Sequence, residues 1–157
     1  QLSEKNEKLN ELDSREKLEK EYEQIKKEEE TLVLRIAERR KDLFLSSAIA
    51  KKVIKLSQKV VPGATKSPLS EKDWQNIITL VNEVYPFLAD RLAAFNLSAA
   101  ELRYCYLSLL GLDSIGESIL LHIQPDSVNK RRQRVCQRLG IIAKELDLCA
   151  YLINSVQ

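Results

Sequence analysis

The sequence predicts an all-α fold: a long N-terminal coiled-coil helix followed by a small helical bundle. Two observations carry this prediction. Residues 1–45 are more than half charged, with 13 acidic and 11 basic side chains, and contain no Gly or Pro. The remainder breaks into short apolar-periodic runs separated by capping residues, Pro and Gly, the punctuation of several short helices. No stretch reads as a strand.

Residues 1 to about 60 are rich in Glu, Lys and Leu, strong helix formers with many opposite charges at i,i+4, and read as one helix. Leu18, Tyr22, Ile25, Leu32, Ile36 and Leu43 follow alternating three- and four-residue steps when Glu29 and Arg39 occupy seam positions, which is the heptad pattern of a coiled coil. Leu2, Leu9 and Leu12 form a second heptad set one residue out of phase, so the seam is interrupted between Leu12 and Leu18. A helix packed on its own domain is the alternative, but the first turns carry too few apolar residues for that. Homodimerisation through this region, residues 1–61, is therefore expected. From Leu43 the pattern becomes more apolar through Phe44, Leu45, Ile49, Val53, Ile54, Leu56 and Val60, which predicts packing on the rest of the protein before Pro62-Gly63 ends the helix.

A second domain is expected over 69–157. Ser70 with Asp73 three residues on is a variant capping box, and Trp74, Ile77, Ile78 and Val81 mark the buried face of the helix it opens. Tyr85-Pro86 ends that helix, because the residue before proline disfavours helical torsions. Phe87, Leu88, Leu92 and Phe95 predict a further short helix. Ser98 with Glu101 is a full capping box for a helix that buries Leu102, Cys105, Tyr106 and Leu109 and stops at Gly111. A turn at Asp113-Ser114 leads into a two-turn helix through Ile119 and Leu121. Pro125, at a first-turn position, starts a basic helix that Gly140 ends. A last amphipathic helix carries Ile142, Leu146, Cys149, Leu152 and Ile153.

Charge narrows the function. The net charge is only +2, but Pro125 to Gly140 holds Lys130, Arg131, Arg132, Arg134 and Arg138 against Asp126 alone. On a helical wheel Val128, Val135 and Leu139 fall on one face, while Asp126, Asn129, Lys130, Gln133 and Gln137 fall opposite, with Arg134 at the edge and Arg131, Arg132 and Arg138 on the flanks. Asn, Gln and Lys can hydrogen-bond base edges while flanking Arg side chains reach phosphates, so this distribution suits a helix in a major groove. A merely solvated face more often mixes both signs, as residues 1–45 do.

Capped helix, short helix, tight turn and basic helix within about 97–141 have the layout of a helix-turn-helix. The span Leu97 to Ile141 resembles the LuxR-type (GerE-like) helix-turn-helix at Leu97, Ser98, Glu101, Gly111, Ser127, Val128, Arg138, Leu139, Gly140 and Ile141. It departs from that pattern at Glu117-Ser118, where the family has Ile-Ala and where Ile115 and Ile119 are expected to supply the apolar contacts, and at Gln124, where Ser or Thr is usual. The resemblance implies a cytoplasmic, DNA-binding output domain of a transcription regulator, joined through a coiled coil to an upstream sensor region that in such proteins is often membrane-tethered. It places base contacts on Asn129, Lys130 and Gln133. The residues expected at double-stranded DNA are thus Ser127, Asn129, Lys130, Arg131, Arg132, Gln133, Arg134 and Arg138, with Arg103 and Tyr104, read as exposed, as further backbone contacts. Two half-sites about 34 Å apart would suit a two-fold dimer. A coiled-coil adaptor with a degenerate helix-turn-helix that docks an acidic partner is the rival reading, with Glu117-Ser118 its support. A purely structural dimerisation stalk does not explain the charge concentrated on one helix.

Other classes find little support. His122 is the only histidine and reads as a turn residue, so neither a His-based metal site nor catalysis is expected, and no cofactor or small-molecule substrate is implied. Cys105, Cys136 and Cys149 lack zinc or disulfide spacing and read as buried thiols of a cytosolic protein. Trp74, Tyr85, Phe87 and Phe95 have core rather than stacking-platform spacing. No apolar run is long enough for a membrane span. The absence of any Met leads to the expectation that the chain is part of something longer.

Overall fold

A computed structural model describes residues 2–141 and 148–154. Every regular element among them is an α-helix: α1 (Leu2–Leu45), α2 (Ala48–Ser57), α3 (Glu71–Val84), α4 (Leu88–Ala93), α5 (Ala99–Ser108), α6 (Ser114–Leu121), α7 (Pro125–Arg138) and α8 (Leu148–Asn154). They form two units, Gln1–Arg39 and Arg40–Gln157. The first unit is α1 up to Arg39. Its apolar residues Leu2, Leu9, Leu12, Leu18, Tyr22, Ile25, Leu32 and Ile36 are all exposed, so the heptad seam has no partner within this unit.

The single helix expected up to residue 60 is divided. Ser46 Oγ donates to the Leu43 carbonyl and Ser47 Oγ to the Phe44 carbonyl, while Ser47 Oγ also accepts from Ala50 N at 3.2 Å as the N-cap of α2. Two serine hydroxyls thus offer the backbone partners that compete with an unbroken helix. The two units meet at Arg39/Arg40, inside α1 and ahead of this break. A second difference follows at the far end, because α2 stops at Ser57 and leaves Val60 75% exposed in the loop beyond it.

The second unit builds its own core. Phe44 and the α2 residues Ala50 and Val53 are buried, as are Trp74, Ile77 and Val81 of α3, Leu88 and Leu92 of α4, and Leu120 of α6. Phe44, Tyr85 and Phe87 pack as tilted and edge-on rings with centroids 6.0 and 6.2 Å apart, and Arg40 lies over Phe87 at 5.1 Å. Burial pushes the Tyr85 hydroxyl up to about 12. Both capping boxes form. Ser70 Oγ accepts from Asp73 N while Asp73 Oδ2 accepts from Ser70 N, and Ser98 and Glu101 exchange the same pair of bonds. Asp73 also receives Lys52 Nζ of α2 at 2.8 Å, which holds its carboxyl below the usual carboxylate range and ties α2 to α3.

α5 is enclosed on nearly every side, since Tyr104 through Leu110 are all buried. It packs against α3, α7 and α8, with α6 on α2 and α7. Of the residues expected to be buried on this helix, Cys105, Tyr106 and Leu109 are, while Leu102 is half-buried. Cys105 and Cys136 are buried thiols, with burial raising Cys105 to about 12, and Cys149 is half-buried. Of the residues expected on the last helix, Cys149, Leu152 and Ile153 lie on α8, and Ile142 and Leu146 lie outside the described residues.

Candidate nucleic-acid interface

α7 is presented by α6 and a three-residue turn. Asp113 caps α6 through its Oδ1 on Gly116 N at 2.7 Å. His122 closes α6 in the left-handed region at φ 54°, with its N–H on the Ile119 carbonyl and the next N–H, from Ile123, on the Ser118 carbonyl. That conformation reverses the chain within His122-Ile123-Gln124 and lets Pro125 enter α7 at the first turn. Gln124 is the N-cap without a side-chain hydrogen bond, consistent with its not being the usual Ser or Thr.

The inner face of α7 is Val128, Val135 and Leu139, as the wheel selected, with Cys136 added beside them. Ser127, Asn129, Lys130, Gln133, Arg134 and Gln137 are exposed, and Arg131 and Arg132 are half-buried. Beyond Asp126 in the first turn, where the helix dipole favours it, α7 has no carboxylate. The outward face is therefore a strip of amide and cationic groups.

The flanking arginines differ from one another. Arg138 is held at the back: its Nε lies 3.0 Å from Glu101 Oε2 and its Nη1 donates to the Asn96 carbonyl at 3.3 Å, pinning the end of α7 to the capping box of α5. Arg131 lines a cleft of about 290 Å³ with Trp74, Ala99, Ala100 and Arg103. Arg103 is committed elsewhere, stacked over Trp74 at 5.1 Å and paired with Glu71 at 2.9 Å. Tyr104, expected to be exposed, is instead fully buried, because α5 has no free face at that position.

What Tyr104 does is linked to the departure at Glu117-Ser118. Glu117 is 2% exposed and accepts from the Tyr104 hydroxyl at 3.3 Å. Burial, and then the Glu117 charge, drive the Tyr104 hydroxyl well above its usual range, while the charge of Arg132 acts the other way. Ser118 is buried too and returns its hydroxyl to the Ile115 carbonyl at 2.6 Å. Glu117 and Ser118 therefore face inward as hydrogen-bonded groups. The apolar substitutes expected there do not go inside: Ile115 is 62% exposed and Ile119 half-buried.

One contact unforeseen from the sequence fixes a side chain of the outer strip. Ser114, in the first turn of α6, donates to Asn129 Oδ1 at 3.0 Å. Ser114 follows the capping Asp113, and this adjacency is the one sequence sign that its hydroxyl could reach across the turn. Among the described residues no group of three or more His, Cys, Asp or Glu could hold a metal ion, and no helix is long and apolar enough to cross a membrane. No known protein family, curated protein or solved structure matches the chain.

Proposed function

We propose that the second unit binds double-stranded DNA through α7, as a helix-turn-helix made by α5, α6 and α7, and that the protein is the sequence-specific, DNA-binding output portion of a transcription regulator, dimerised through α1. The observation that carries this reading is the outer strip of α7. Asn129, Lys130, Gln133, Arg134 and Gln137 are exposed together without an acidic neighbour past the first turn, on a helix anchored from behind by Val128, Val135 and Leu139. Asn129, Lys130 and Gln133 are the base-reading candidates, Arg131 and Arg134 the phosphate contacts, and Arg132 and Arg138 act from the flanks while bracing α7. A cytoplasmic site of action and an upstream sensor belong to the same reading.

Binding to random duplex at several salt concentrations tests it. Phosphate-led association makes log affinity fall linearly with log salt, by about 0.9 per phosphate neutralised. Lys130→Ala and Arg134→Ala are expected to weaken binding with no loss of thermal stability, and a phosphate contact at either position lowers the salt slope by about one. Absence of duplex binding at low salt defeats the proposal.

A further inference from the structure

An apolar groove lies away from the α7 strip, where α2 gives way to the loop at 59–68. It is an open groove of about 630 Å³ between that loop and α6. Val60, Val61, Pro62 and Pro68 form one wall and Ile119 the other. The loop is fastened to α6 rather than merely resting near it, for Ser67 Oγ donates to the Leu120 carbonyl and accepts from Leu69 N, and Leu69 is buried.

Two apolar side chains of the groove, Val60 and Val61, stay largely in water, and a third, Ile115, is exposed beside it on α6. Val60 is 75%, Val61 61% and Ile115 62% exposed, and Ile115 sits one turn before Ile119 on the same edge of α6. Lys59 and Lys66 stand at the two ends of the loop and His122 at the turn, while no carboxylate lines the groove. Such a surface is complementary to apolar side chains flanked by negative charge. Pro62 and Pro68 lack N–H donors, so the loop is a poor edge for an added strand, and the occupant that fits is a helix with i, i+4 apolar anchors.

We propose that this groove docks an acidic amphipathic helix of a partner protein. The docking is independent of duplex binding by α7, since none of the exposed α7 residues lines the groove.

The test uses the whole chain with Ile and Val methyl groups labelled for NMR, and a synthetic helix of about five turns carrying Leu at i, i+4 and i+7 positions and Glu elsewhere. The acidic peptide is expected to shift the methyl signals of Val60, Val61, Ile115 and Ile119. Replacing its Glu by Lys, or introducing Lys59→Glu with Lys66→Glu in the protein, is expected to weaken binding about tenfold or more. Val60→Ser with Val61→Ser does the same while the thermal midpoint holds, because both side chains are already exposed. The proposal is overturned by no methyl shift at millimolar peptide, by equal binding of the two peptides, by shifts confined to the exposed α1 seam, or by a DNA duplex competing for the same methyl groups.

Discussion

At the scale of single residues, Glu117 decides how the departure from the helix-turn-helix pattern is to be understood. A carboxyl group that is 2% exposed needs partners, and the Tyr104 hydroxyl is one of them. Removing it by Glu117→Ala leaves the Tyr104 hydroxyl unpaired in the core and opens a cavity, so a loss of about 3 kcal/mol in urea unfolding is expected. Replacing both members with apolar side chains, Glu117→Leu with Tyr104→Phe, is expected to recover much of that loss, because an unmet buried group costs more than an absent pair. A loss below about 1 kcal/mol for Glu117→Ala would show that the contact carries no weight. In the sequence, Glu117 stands out only as a departure from the pattern of the family the chain resembles, at a position where that family has an apolar residue. Its partner was hidden, because Tyr104 sits on a helix covered on nearly every side, where a wheel separates inside from outside poorly.

At the scale of elements, the joint between α2 and α3 rests on Asp73, which caps α3 and receives Lys52. Its carboxyl is held below the ordinary value of 3.8, first by the Lys52 hydrogen bond and then by that from Ser70 N. A group whose folded value is depressed contributes stability that is present above its unfolded value and lost as pH falls through the folded one. Asp73→Ala is therefore expected to cost about 2 kcal/mol at pH 7 and progressively less as the pH drops below about 4. Urea titrations of both proteins down that range give the difference directly, and a difference independent of pH would exclude the ionised pair as its source. This joint was half legible. The Ser70-x-x-Asp73 spacing announced the cap, as Ser98-x-x-Glu101 did for α5, because a capping box is a purely local pattern. Lys52 is 21 residues away, and its approach depends on the break at Ser46-Ser47, where serine is neutral by propensity and reveals itself as a cap only once the chain has turned.

At the scale of the whole molecule, the exposed apolar line of α1 is the surface that the proposed dimer would cover. Leu18, Tyr22, Ile25, Leu32 and Ile36 stay more than 40% exposed along one heptad line, and a long helix of mixed charge draws most of its stability from burying such a line. In the proposed dimer a second copy covers this line, and Glu29 and Arg39 at seam positions are expected to make that association weaker than an all-apolar one. The chain is expected to sediment as a concentration-dependent dimer at micromolar levels, and Ile25→Asp with Ile36→Asp to give a monomer with reduced helical signal. The thermal midpoint of the second unit should not move, because Phe44, Trp74, Tyr85, Leu107 and the rest of its core lie beyond the seam. If α7 binds duplex, the monomeric variant should also engage one half-site in place of two, with its salt slope about halved. A wild-type monomer at about 100 µM would remove dimerisation from the proposal while leaving α7 to be judged on its own, and a variant that lost the midpoint of the second unit would show that the two parts of the chain do not fold independently.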